Sequence, residues 1–323
     1  MTGPRTAVVV NPVKVPDLDL LRRTIVEGLA TAGWPEPEWL ETTPEDAGRG
    51  QARQAMENGA ELVFVCGGDG TVMAVISALA GTDVALAVIP AGTGNLLAAN
   101  LGLSSDAATG VEVALEGGRR RIDVGVCGDQ SFAVMAGMGF DAQMLEGTSE
   151  TAKKHIGWIA YVGGALKHLR DKPMPMVISL DGKPPLRRRP RTVIVGNVGR
   201  LQGGVRLLSD ADPADGRLDV AILSPRNLAH WAALGWAVLR RRDRVPRMET
   251  YTAERVEIRS IRPQPRQLDG DLIAPGTSMS IGVRHRALLL CVPQPDSDPD
   301  LAYDSGAAEK AAEEVRAAAK GKK

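Results

Sequence analysis

The sequence predicts two domains: an α/β N-terminal domain with a doubly wound, mostly parallel sheet, then a C-terminal antiparallel β-sandwich domain, with a cleft between them. Three observations predict this. The first 120 residues alternate strand and helix signals. From about Arg119 onward, short alternating runs separated by Gly, Asp and Pro take over. Finally, two strand-like runs of the first part, 62–66 and 85–89, each end in a glycine-rich turn: Gly-Gly-Asp-Gly-Thr at 67–71 and Pro-Ala-Gly-Thr-Gly-Asn at 90–95.

The elements follow in order. Residues 6–10 are a β-branched run closed by Asn11-Pro12. Leu18, Leu21, Ile25 and Leu29 recur at helical spacing, with Asp17 as N-cap and Gly33 as stop. A weaker strand at 39–42 precedes a helix expected to open at Thr43-Pro44-Glu45 and to stop near Gly59. Strands at 62–66 and 85–89 alternate with helices at 72–79 and 95–101. In the second half, 177–180, 192–196, 218–223, 255–260 and 278–283 read as strands, interrupted by helical stretches at 156–169 and 228–241. The predicted domains are 1–122 and 123–285, with 286–292 as a strand returning to the first domain and 293–323 as a disordered tail.

Composition narrows the function. Lys+Arg and Asp+Glu each number 39, so the formal net charge is zero, which argues against a nucleic-acid partner. Cys66, Cys127 and Cys291 lie far apart and give neither a disulfide framework nor metal-ligand spacing, so a reducing cytoplasm is expected. The four histidines show no ligand spacing either. The first apolar run is too short for a signal peptide, and no stretch reaches the roughly 18 apolar residues of a membrane span. Membrane contact is therefore expected to be peripheral, at the inner face. Two stretches carry aromatic anchors with basic flanks: Trp158 and Tyr161 between Lys153 and Arg170, and Trp231 and Trp236 before Arg240. Arg187, Arg188, Arg189 and Arg191 form another basic cluster. The plainer alternative is that both helices pack on the sheet and the arginines are a solvated face.

The turn at 67–71 carries the chemistry. Glycines let backbone N–H groups approach an anion, and the helix that follows adds its positive end. Thr71 is expected to cap that helix or to bond a phosphate oxygen. Asp69 would repel a phosphate directly, so it suits Mg²⁺ held through water, or the orientation of an attacking hydroxyl. The plainer alternative is a tight strand-to-helix turn with Asp69 as its cap. The turn at 90–95 repeats the design one strand later, so both would face one cleft. Near the other end, Asp269-Gly270 is either a hairpin turn, a catalytic acid, or both at once.

Asn11-Pro12, the 67–71 and 90–95 turns, Gly-Phe-Asp-Ala at 139–142, Asn197 with Gly203-Gly204, Asp-Gly-Arg-Leu-Asp-Val at 215–220 and Leu-Asp-Gly-Asp at 268–271 together resemble the diacylglycerol kinase catalytic family over residues 5–292. That family includes bacterial lipid kinases and the sphingosine and ceramide kinases. The resemblance implies an ATP- and Mg²⁺-dependent lipid kinase that phosphorylates a hydroxyl of a diacylglycerol-like lipid, with a membrane lipid as substrate and a homodimer left open. It implies ATP contacts at Asn11, Thr42 or Thr43, Gly67, Gly68, Asp69, Gly70 and Thr71, and at Gly92, Thr93, Gly94 and Asn95. It implies a general base at Asp269 or Asp271, metal at Asp69, and a structural metal at Asp215 with the Arg217 carbonyl. Asp271 stands where relatives carry Glu, and Ala74 where many carry Glu. The alternatives are a kinase of the NAD kinase type and a nucleotide- or lipid-binding relative without catalysis.

Overall fold

The computed structural model describes residues 3–91, 96–101, 103, 106–139, 173–198, 208, 212–225, 230, 233 and 245–293. Strand β1 (Thr6–Val10) is buried along its whole length, as β-branched residues in a sheet covered on both faces should be. Asp17 caps α1 (Leu18–Thr31), its carboxylate accepting from the Leu20 N–H, and Leu21, Ile25 and Leu29 are the helix's buried residues. Then come β2 (Glu38–Glu41), α2 (Arg49–Glu57), β3 (Leu62–Gly67), α3 (Asp69–Leu79), β4 (Ala85–Pro90), α4 (Leu96–Leu101) and α5 (Ala107–Glu116). β2, β1, β3 and β4 lie side by side in that order, all parallel. Alternate residues feed two cores. Val63 and Val65 pack with Val72, Val75 and Ile76 of α3, while Phe64 and Cys66 pack with Ile25 and Leu29 of α1 and Val111 of α5. This is the doubly wound sheet that the alternation predicts.

Three local features differ from the sequence reading. Helix α2 does not open at Thr43-Pro44-Glu45. Thr43 and Asp46 instead close a turn, Thr43 N–H donating to the Asp46 carbonyl at 3.0 Å and Asp46 N–H to Thr43 Oγ1 at 3.1 Å. The Asp46 carboxylate then accepts from the N–H groups of Gly48, Arg49 and Gly50 and so caps α2. Helix α3 starts at Asp69 with Gly68 as N-cap, so Thr71 lies inside the helix and is not its cap. Helix α5 has no counterpart in the sequence reading. Asp106 caps it through the Thr109 N–H and hydroxyl, but Gly110 dilutes its apolar pattern. A Cβ on Gly110 would lie 2.8 Å from Ile89 Cγ1, so glycine is what lets α5 close on β4.

The second half is antiparallel. It comprises β5 (Gly118–Cys127), β6 (Gln130–Phe132), β7 (Met135–Gly139), β8 (Met176–Leu180), β9 (Leu186–Arg188), β10 (Thr192–Gly196), β11 (Leu218–Leu223), β12 (Met248–Ala253), β13 (Arg255–Leu268) and β14 (Asp271–Val292). Their order runs β12-β11-β10-β7-β13-β14, with β8 on β13 and β5 on β14. Phe132, Met138, Ile178, Val193, Val220, Ile258 and Ile281 fill the core. The stretches expected at 278–283 and 286–292 are one strand: β14 runs along β13 and then pairs Leu289 and Leu290 in parallel with Ala85 and Leu86 of β4. The helical stretches at 156–169 and 228–241, and the tail, fall almost wholly outside the described residues. Among the described residues no helix is long and apolar enough to cross a membrane.

Strand β14 bends as it passes from one half to the other. Its register with β5 shifts between Arg284 and Leu288, and Arg286 takes φ +48°. One carboxylate holds this bend. Asp123 of β5, fully buried, accepts from the N–H of Arg286 at 2.6 Å and of Gly216 at 2.6 Å, and contacts His285 Nδ1 at 2.9 Å. Asp123→Ala leaves two backbone donors without their acceptor. It is expected to cost about 3 kcal/mol, read as a lowered thermal unfolding midpoint; an unchanged midpoint would show that the bend does not depend on this carboxylate.

Candidate active site

In a 2-1-3-4 sheet the connections leave in opposite directions from β1 and β3, and ligands bind where those strands end. Here Asn11 and the 67–71 turn occupy that point. Asn11 N–H donates to the Cys66 carbonyl at 2.8 Å. Asn11 Nδ2 donates to Thr71 Oγ1 at 3.3 Å, and its Oδ1 accepts from Val13 and Lys14 N–H. The Thr71 hydroxyl is thus tied to the end of β1 rather than exposed: Thr71 is 4% accessible. Gly67 makes this packing fit, since a Cβ there would sit 2.8 Å from Thr71 Cβ. What remains at the cleft is the positive end of α3, with Gly68 and Asp69 at its opening.

Asp69 is the first residue of α3 rather than its N-cap. Its Oδ1 accepts the Leu96 N–H at 2.8 Å, so it ties the start of α4 to the start of α3. Gly92, Thr93, Gly94 and Asn95, which precede Leu96, lie outside the described residues. Thr42 closes β2 against β1 through its N–H to the Val10 carbonyl, 2.9 Å. The Thr43 hydroxyl is engaged by the turn that caps α2.

The late acids arrive on a hairpin. Leu268 pairs with Asp271 across a two-residue turn, with Asp269 at φ +49° and Gly270 at φ +92°. Positive φ at both positions is the type I′ turn for which Asp-Gly is the usual sequence. The two carboxylates point to different environments. Asp269 is 3% exposed and accepts from three successive backbone N–H groups, Ala133 at 2.8 Å, Val134 at 2.9 Å and Met135 at 2.7 Å. Asn197 grips the same segment from its other side, its Nδ2 donating to the Ala133 carbonyl and its N–H to the Val134 carbonyl. Asp269 is therefore buried and held by three backbone donors, an anchor for the hairpin, and of the two acids expected as the base it is the one turned away from solvent. Asp271 is exposed, and its Oδ2 lies 3.6 Å from where a Cβ on Gly70 would be. The hairpin thus brings Asp271 against the N-terminal turn of α3. A Cβ on Gly270 would lie 3.7 Å from Leu96 Cδ1, which puts the same hairpin beside the start of α4.

Mg²⁺ takes oxygen ligands, keeps several waters and is commonly held by one or two carboxylates plus substrate phosphates. Asp69 and Asp271 at the end of α3 fit that donor set. Among the described residues no group of three His, Cys, Asp or Glu side chains could hold a metal by itself. At the expected structural metal site the bonds in place are these. Asp215 Oδ1 accepts the Arg217 N–H at 2.8 Å, and the Arg217 side chain reaches the Thr252 carbonyl and Asp181. The basic cluster near Arg189 is not uniformly free either: Arg188 is clasped by Glu249 at 2.9–3.0 Å, and Arg191 is buried.

An α/β domain with a helix N-terminus at its switch point, faced by an acid from a β-sandwich, is an arrangement suited to a two-domain transferase. The family comparisons agree. The diacylglycerol kinase catalytic domain model matches residues 5–127, and the YegS C-terminal NAD kinase beta sandwich-like domain model matches residues 134–292. A protein of Pseudomonas fluorescens named "probable lipid kinase YegS-like" is 30% identical over 84% of this chain and 90% of its own length. A diacylglycerol kinase of Mycobacterium tuberculosis is 30% identical over 52% of this chain and 56% of its own length, so the match spans about half of that relative. A diacylglycerol kinase crystal structure from Bacillus anthracis, 20% identical, superposes with a TM-score of 0.68 over 90% of this chain and 97% of that one. The chain belongs to the diacylglycerol kinase family of YegS-like lipid kinases.

Two predictions follow from the site's geometry. Gly67→Ala forces Thr71 aside and is expected to weaken nucleotide binding about tenfold or more, measured by titration calorimetry; unaltered affinity would separate Thr71's seat from nucleotide binding. The second concerns Asp269. Burial pushes its carboxyl up to about 7, against the three N–H groups that favour its charge and with the Asp69 charge adding to the rise. Its ordinary value is 3.8, so the folded chain binds more protons than the unfolded one between about 4 and about 7. Stability attributable to this group therefore falls as pH rises through that window and levels above it. Asp269→Asn, which cannot titrate, should remove that slope from a midpoint-versus-pH curve; identical slopes would mean the carboxylate folds already ionised.

Proposed function

We propose that the protein is an ATP- and Mg²⁺-dependent lipid kinase that transfers the terminal phosphoryl group to a hydroxyl of a diacylglycerol-like lipid, working at the inner membrane face. The observation that carries this reading is the exposed Asp271 carboxylate set against the N-terminal turn of α3.

The chemistry needs few parts: a seat for the phosphates, charge neutralisation and one acceptor for the hydroxyl proton. Backbone N–H groups at Gly68 and Asp69, with the dipole of α3 behind them, seat the anion. Asp271 accepts the proton as the lipid oxygen bonds to the terminal phosphorus, while the bond from that phosphorus to the bridging oxygen breaks and the nucleoside diphosphate leaves. Asp69 holds α4 in place through the Leu96 N–H. A carboxylate has up to four lone-pair directions, so Asp69 is also the group to hold Mg²⁺. Bound Mg²⁺ would neutralise charge on the phosphate oxygens. Asp269 orients Asp271 without touching substrate. Its clamp on 133–135 fixes the hairpin, and the turn then aims the next residue but one, Asp271, at the helix.

The test is transfer of label from radiolabelled ATP to diacylglycerol in the presence of Mg²⁺, with NAD as a competing acceptor. A labelled lipid is expected. Asp271→Asn should lower kcat by about 100-fold or more while ATP affinity holds, since a general base contributes on that order. Labelled NAD phosphate in place of lipid, or wild-type turnover in Asp271→Asn, would overturn the reading.

A further inference from the structure

The hairpin that delivers Asp271 continues away from the site into a surface of another kind. Four large hydrophobic side chains are exposed among the described residues, and two of them, Ile261 at 75% and Leu272 at 42%, belong to this hairpin. Pairing between β13 and β14 skips from Arg259–Ser278 to Gln264–Gly276. Ser260, Ile261, Arg262 and Pro263 are the residues passed over, and the last three are exposed. The bulge is fixed from behind. Arg266 donates to the Ala274 carbonyl at 2.8 Å and the Ser278 carbonyl at 2.9 Å, and its guanidinium lies over Gly276, where a Cβ would be 2.8 Å away.

Charge along the outer part of the hairpin is mostly basic. From Ile258 to Leu268 the chain has Arg259, Arg262 and Arg266 and no acid, and there is no acid from Leu272 to Val292. Arg262 has no carboxylate partner among the described residues. Arg259 meets Glu257 at 3.3 Å, in a pair open to solvent and so weak. Pro263 and Pro265 lack the N–H groups that an added strand would need, so a peptide cannot extend the sheet here. An exposed Ile next in sequence to Arg262, with Arg259 held only in a weak solvent-open pair, is the pattern of an interfacial anchor, the apolar side chain entering the head-group boundary and the cations meeting lipid phosphates. Gly276, opposite the bulge, is five residues from Asp271, roughly 17 Å along the strand.

We infer that the β13–β14 bulge, with Ile261 as the inserted side chain and Arg259 and Arg262 on lipid phosphates, docks the protein on an anionic bilayer. The proposal rests on the lipid kinase reading for its reason to visit a bilayer. It differs from the sequence expectation, which placed membrane contact on the stretches around Trp158 and Trp236.

The experiment is sedimentation with vesicles of phosphatidylcholine containing phosphatidylglycerol, without nucleotide. Arg259→Gln/Arg262→Gln should weaken partitioning about tenfold or more. Ile261→Gln should weaken it about fivefold or more. Turnover on a short-chain diacylglycerol dispersed in detergent should stay within about twofold of wild type for both variants. Unchanged partitioning of either variant, or no binding by the wild type, would overturn the proposal. So would a loss of dimer in Ile261→Gln with vesicle binding intact, which would make the bulge a contact between copies. Absence of lipid phosphorylation by the wild type would sink the kinase reading instead, and sedimentation alone would still decide the docking surface.

Discussion

Three consecutive backbone N–H groups, at Ala133, Val134 and Met135, converge on the buried carboxylate of Asp269. The site depends on that contact. It seats the tip of a long hairpin on the start of β7, and the seat fixes which way the turn faces. Because both turn residues adopt positive φ, the strand reverses within two residues and Asp271 emerges at once beside Gly70. A carboxylate with no role in the chemistry thus places one that has the geometry for it. The three N–H donors offset part of the cost of burying this carboxyl, and burial still pushes it up to about 7.

In the sheet the two halves are joined by β14, with β5 paired to it on both sides of the bend. Strand β14 begins at Asp271 and ends by pairing with β4, whose own end leads toward α4. The acid and the glycine turns it must face are therefore held by one continuous strand. Asp123 fixes the strand at its bend. The α/β half contributes the N-terminal end of α3 and the sandwich half contributes the Asp271 carboxylate beside it.

Much of this was legible in the sequence, and the reasons are local. Runs of Val and Ile ending in Asn-Pro or Gly-Gly announce strands of a covered sheet, and Asp17 and Gly33 mark α1 because caps are one-residue signals. The switch-point turn was legible because three glycines around one acid have few structural uses. The division of labour between Asp269 and Asp271 was not legible. Both look alike on paper, and only the tertiary approach of residues 133–135 decides which is buried. Asp69 was read as facing the ligand, yet its bond to Leu96 lies 27 residues away in sequence. Helix α5 was missed because Gly110 breaks its pattern for the sake of Ile89, a contact with no local trace.

The central claim is that phosphoryl transfer happens where the end of α3 meets Asp271. The most direct test is a crystal structure with Mg²⁺ and a non-hydrolysable ATP analogue. The account places the terminal phosphate on the Gly68 and Asp69 N–H groups, with its phosphorus within about 6 Å of the Asp271 carboxylate, close enough for one hydroxyl to lie between them. A nucleotide bound with its terminal phosphate away from α3, or with Asp271 turned out of reach, would contradict it.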